Sequence, residues 1–169
     1  MPINFFLDYP ENFDIHLKEI IERLDVEGFD NYIKEGGDIS AVNFSLIICQ
    51  YGEADDEILW NVTRNEDDLT LLRDIDNRKA AMVTILLERC ISFDEECLLY
   101  CYTFRCPKTA EVLLAHGIDP NMDCGVSASL LAYIDDGRFY LGFNYSSDIL
   151  ISELEEIIKN YGGLIIYHF

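Results

Sequence analysis

Ala110-Glu111-Val112-Leu113-Leu114-Ala115-His116-Gly117-Ile118-Asp119-Pro120-Asn121 is the stretch on which the fold turns. An apolar pair, Leu113-Leu114, closes an amphipathic run. Gly117 then stands where a helix end needs a residue that takes positive φ without steric cost. Twenty-seven residues earlier, Leu86-Leu87-Glu88-Arg89-Cys90-Ile91 repeats the form; 27 more reach Leu59-Trp60, and 27 more Tyr32-Ile33-Lys34-Glu35-Gly36. A later instance, Ile157-Ile158-Lys159-Asn160-Tyr161-Gly162, places its glycine 45 residues after Gly117, so the last interval holds an insertion. A fixed period in apolar pairs is the mark of a repeat architecture.

Each period is long enough for two short helices. Phe13, Leu17, Ile20, Ile21 and Leu24 share one helical face, and a second helix is expected over about 27–35, ahead of Gly36. Ser92-x-x-Glu95 and Ser152-x-x-Glu155 match the capping-box pattern, Asp55 precedes the Ile58/Leu59/Val62 face, and Pro107 suits a first helical position. The fold expected is all-α: a helical-hairpin solenoid of about five units, 12–40, 41–66, 67–92, 93–121 and 122–164, in a single domain over 1–169. A two-helix unit cannot bury its apolar faces alone, so neighbouring units must stack. The rival architecture is an irregular all-α bundle with a small β element at the insertion.

The stretch Leu113–Asn121 resembles the end of an ankyrin repeat, where a Leu-Leu pair closes the second helix and a Gly-x-Asp-x-Asn turn follows. Ser129-Leu130-Leu131-Ala132 and Thr70-Leu71-Leu72 are fainter echoes of that family's first-helix signature. The resemblance covers about 12–164. It implies a non-enzymatic protein-interaction module with no cofactor and no metal. The Thr-Pro-Leu-His motif is absent, and the period of 27 falls short of the family's 33, which implies shortened fingers between units.

The segment 135–151 breaks the period. It is expected to form a loop or β-hairpin, and Asp135, Asp136, Phe139, Tyr140, Phe143 and Tyr145 are its candidate partner-binding residues, since aromatics beside charge recur at interfaces. The same aromatics could instead close the last unit. An N-terminal extension, 1–11, and an apolar tail, 164–169, flank the array, and one or both are expected to fold back over an end of it.

Acidic residues number 32 against 12 basic, a formal net charge of −20. The imbalance is strong in 1–60 (14 acidic, 3 basic), weak in 61–110 (9 and 7) and strong again in 111–169 (9 and 2). Half the residues are apolar, which excludes a disordered acidic tail. So negative a surface repels phosphate, which argues against nucleic acid as a partner. The longest uncharged apolar runs, 39–49 and 162–169, fall short of the roughly 20 residues a membrane-spanning helix needs. Met1–Asp8 has no basic region ahead of its apolar residues, so it does not read as a signal peptide. With no C-x-x-C among Cys49, Cys90, Cys97, Cys101, Cys106 and Cys124, a reducing, cytoplasmic setting is expected.

Candidate chemistry is sparse. Cys97, Cys101, Cys106 and His116 are the one group that could hold a metal or form a Cys–His nucleophile, but their spacing fits core cysteines better. The pairs Asp55-Asp56, Asp67-Asp68 and Glu95-Glu96 stand at expected helix starts, where the macrodipole favours negative charge. The function expected is recognition of a basic protein through the stack's concave face and the insertion, in the manner of an inhibitor or immunity-type protein that masks a toxin or nuclease. The alternative is a cysteine-based enzyme or metal-binding protein using the Cys97/Cys101/Cys106/His116 group. A third reading is a scaffold subunit that self-associates through its apolar termini.

Overall fold

The computed structural model describes residues 9–61, 64–140 and 148–169, with the backbone alone for 138–140. Among these it holds nine packed helices and no strands. They are α1 (Ile15–Glu22), α2 (Val26–Lys34), α3 (Phe44–Ile48), α4 (Asp56–Trp60), α5 (Glu66–Glu88), α6 (Cys97–Thr103), α7 (Pro107–Ala115), α8 (Leu130–Tyr140) and α9 (Ile149–Asn160).

Local chemistry sets most helix starts. Asp14, Asp25, Asn43, Asp55 and Asn65 each stand just ahead of a helix and accept a backbone N–H of its first turn. Pro107 opens α7, as its fixed φ suits. Neither capping box forms. Ser152 lies inside α9, which starts earlier because the buried Asp148 accepts from Leu150 N and Ile151 N at 3.0 and 3.3 Å. Ser92 precedes an irregular turn, and α6 opens at Cys97 without a side-chain cap. The acid of that turn, Asp94, instead serves α3, accepting from Ser45 N at 2.8 Å and Ser45 Oγ at 2.5 Å.

Three helix ends fall at multiples of 27 residues. Lys34, Glu88 and Ala115 end α2, α5 and α7, spaced by 54 and 27 residues, and the residues two places beyond, Gly36, Cys90 and Gly117, have φ of +87°, +60° and +100°. Leu86, Leu113 and Ile158 occupy the same place in the last turn of α5, α7 and α9, and each is fully buried; Leu59 is buried in the last turn of α4. The α1–α2 and α6–α7 corners also match. Leu24 and Arg105, 81 residues apart, both take positive φ, and the next residue's N–H returns to Ile20 O or Cys101 O.

The third unit departs from a helix pair. Residues 66–88 form one unbroken helix, α5, about 34 Å long at 1.5 Å per residue. It packs against α2, α3 and α7, and α7 packs in turn against α9, giving a row α2–α5–α7–α9. α3 packs on α6, and the rings of Tyr102 and Tyr133 meet at 5.8 Å to join α6 to α8. A single apolar core runs from Leu17 to Ile158 between these elements.

Two buried charges one turn apart on α5 meet opposite helix ends. Asp76 accepts from Lys108 N, Thr109 N and Thr109 Oγ1 at 2.8, 3.0 and 2.7 Å, placing a carboxylate at the start of α7. Lys79, 1% exposed, donates to Ile48 O at 2.6 Å, placing an ammonium at the end of α3. Each sign suits the dipole end it faces.

Cys90 is the non-glycine in the run of positive-φ positions at 36, 90 and 117, and its side chain is exposed. A left-handed conformation costs an L-residue about 1–2 kcal/mol, partly offset in glycine by the entropy of its unfolded chain. Cys90→Gly should therefore gain about 0.5–1 kcal/mol and raise Tm by roughly 1–4 °C in calorimetry. A lowered Tm would show that the cysteine side chain holds this turn.

Candidate partner-binding face

The C-terminal segment is stitched to the loop between α7 and α8 by its backbone. Ser129, fully buried, donates its N–H to Ile166 O at 2.8 Å and its Oγ–H to Leu164 O at 2.7 Å, while its Oγ accepts from Ile166 N at 3.1 Å. Asn121 accepts from Leu164 N at 2.7 Å and donates to Gly162 O at 3.1 Å. His168 N donates to Ser127 O, and Ala128 and Tyr167 form an antiparallel bridge. The tail thus pairs with the loop ahead of α8, but it does not hide its side chains. Leu164, Ile165 and Tyr167 are 60%, 55% and 43% exposed, and Phe169 is fully so.

α8 borders the same surface. The expected loop or hairpin over 135–151 is not what forms at its ends: 135–140 complete α8, and α9 begins at Ile149. Tyr133 is exposed, Asp135 and Asp136 are half-buried, and Asp136 Oδ1 accepts from the Tyr167 hydroxyl at 2.8 Å. A Cβ added at Gly137 would meet no atom of the described residues within 4 Å. Of the other candidate residues, Phe139 and Tyr140 lie in the last turn of α8, with only their backbone described, and Phe143 and Tyr145 lie outside the described residues. Sequence reasoning expected the tail to cover an end of the array or to pair copies of the chain, and missed that it joins α8 in one surface. The signal was the run Leu164-Ile165-Ile166-Tyr167, too apolar in both alternating sets for one side to be buried.

Asp148 fixes the re-entry of the chain into α9. Fully buried, it pairs with Arg64 Nη1 at 2.8 Å and Arg105 Nε at 3.4 Å. Arg64 also donates to Ile58 O and Leu59 O, tying α4 to this point. The Arg105 guanidinium lies 5.6 Å from the Trp60 ring centre and 5.9 Å from that of Tyr102.

The cysteines pack as apolar side chains, with Cys49, Cys97, Cys101, Cys106 and Cys124 buried. Cys90, in the turn after α5, is exposed. Burial pushes the thiols of Cys97 and Cys106 up to about 12, away from the thiolate a nucleophile or zinc ligand requires. Cys106 and His116 flank opposite ends of α7, ten residues and about 15 Å apart along the helix. His116 Nδ1 is 2.8 Å from Val112 O. Among the described residues no His/Cys/Asp/Glu group has the geometry to hold a metal ion.

Compared with known protein families, with curated proteins and with solved structures, the chain matches none. No helix of the described residues is long and apolar enough to cross a membrane.

Proposed function

We propose that this chain is a non-enzymatic binding protein of the ankyrin-like helical-repeat kind, acting on a basic protein partner as an inhibitor or immunity-type protein would. The repeat part of the reading is supported by the shared helix-end geometry at 36, 90 and 117, with α5 standing as one fused unit in place of a helix pair. The observation that carries the function is the surface charge. Among the described residues three cationic side chains (Arg64, Lys79, Arg105) and three carboxylates (Asp76, Asp148, Glu155) are buried, so their burial leaves the formal excess of acidic over basic groups unchanged. A charge of that size destabilises the compact state through self-repulsion and steers cationic partners to the surface at long range. Helix capping uses some of the carboxylates, but not the excess.

The test is the association rate of the protein with a basic partner captured by it, measured across ionic strength. Raising salt from low to physiological levels should slow association by roughly tenfold or more, with dissociation changed less. Capture of acidic partners, or a rate indifferent to salt, would overturn the proposal.

A further inference from the structure

Acidity is spread over the whole chain, whereas exposed apolar side chains are not. Among described residues 9–61, Ile15 is the single large hydrophobic that is exposed. Val126, Tyr133, Ile165, Tyr167 and Phe169 are all exposed, and hydrogen bonds from the tail to 127–129 and from Tyr167 to Asp136 hold their segments side by side. Charge steers an encounter, but a complex is held by apolar and aromatic anchors that leave water. The acidic helices α1, α2 and α4 therefore offer steering without a grip, and the C-terminal face offers both.

The charge around that face selects the occupant. Residues 111–169 carry nine carboxylates against two basic side chains, Arg138 and Lys159, and Lys159 lies 3.8 Å from Glu155. Asp136 presents one oxygen to Tyr167 and stands beside Asp135 at the rim of the apolar residues. A second copy of this chain would bring like charge to like charge, which disfavours it as the occupant. We propose that the C-terminal face seats an apolar side chain of a cationic protein segment against Val126, Tyr133, Ile165 and Tyr167, with Asp135 and Asp136 receiving the lysines or arginines that flank it. This rests on the reading that the partner is basic, and it moves the contact from the concave face expected of a solenoid to α8 and the tail.

The full chain, isotopically labelled, would be titrated with a short peptide carrying leucine and tryptophan at its centre and lysines on both sides. Two controls replace the lysines by glutamates or the apolar centre by serines. Amide shifts are expected in 126–137 and 164–169, and Ile165→Ser should weaken the lysine–leucine peptide roughly tenfold, while Ile15→Ser leaves it unchanged. Both side chains are exposed, so neither change threatens the fold. Shifts that follow α1, α2 and α4, or a serine-centred peptide that binds as well, would overturn this inference while leaving the basic-partner reading intact. Binding of the glutamate peptide in preference to the lysine one, or no lysine-peptide binding at all, would overturn it too. Failure of salt to slow a captured partner is the separate result that removes the wider reading.

Discussion

Asp148→Ala should lose about 3–5 kcal/mol of stability, a large part of the ~5–15 kcal/mol that holds a domain folded. The carboxylate is fully buried and is the acidic partner of two arginines whose own side chains are 4% and 6% exposed. Removing it leaves two cations inside the protein, and the first turn of α9 loses its acceptor at the same moment. Asp148→Asn separates the two effects, because asparagine still caps a helix but carries no charge. Its loss should fall between those of the parent and the alanine variant. Urea titration followed by Trp60 fluorescence is a direct measure, since that indole lies against Arg105. An alanine variant within about 1 kcal/mol of the parent would mean that water reaches the trio.

Lys79→Ala should lose about 2–5 kcal/mol, through the emptied volume of a buried side chain and the orphaned Ile48 carbonyl. Lys79→Met fills the same space but still orphans the Ile48 carbonyl, so it should recover only the part of that loss that comes from the emptied volume. The methionine variant also carries a pH signature. Burial raises Asp76 above its ordinary value, against the lowering effects of Thr109, the Lys108 N–H and nearby Lys79. A carboxyl raised in the folded state contributes stability that is whole below its unfolded value and is lost as pH climbs through the folded one. Without Lys79 the folded value rises further, so Lys79→Met should lose more stability than the parent between acid and neutral pH. Equal slopes for the two proteins in urea titrations across that range would sink the argument.

Helix ends were legible because they depend on neighbours in the chain. Gly36, Gly117 and Gly162 take the positive φ their positions require, Asp55 caps α4, and Pro107 is the first residue of α7. The fused α5 was legible too, and was overridden by the period: between Gly52 and Pro107 the sequence has no glycine or proline to break a helix. The capping box at Ser152 misled because a stronger acceptor, Asp148, stood four residues upstream. That Asp76, Lys79 and Asp148 point inward could not be read at all, since their partners lie about 30 to 85 residues away. The candidate site divides in the same way. Asp135 and Asp136 lie on the surface that the tail joins, but the reach of Tyr167 to Asp136 spans 31 residues and needed coordinates.

The undivided α5 bears on how the protein comes apart. Arrays of separate hairpins fray one unit at a time from their ends, because each touches only its neighbours. Here a rod of 23 residues touches α2 and α3 on the amino-terminal side and α7 on the other, while Arg73 reaches Glu153 on α9. Neither half can melt without stripping a face of that rod, so the two halves rise and fall together as one cooperative transition.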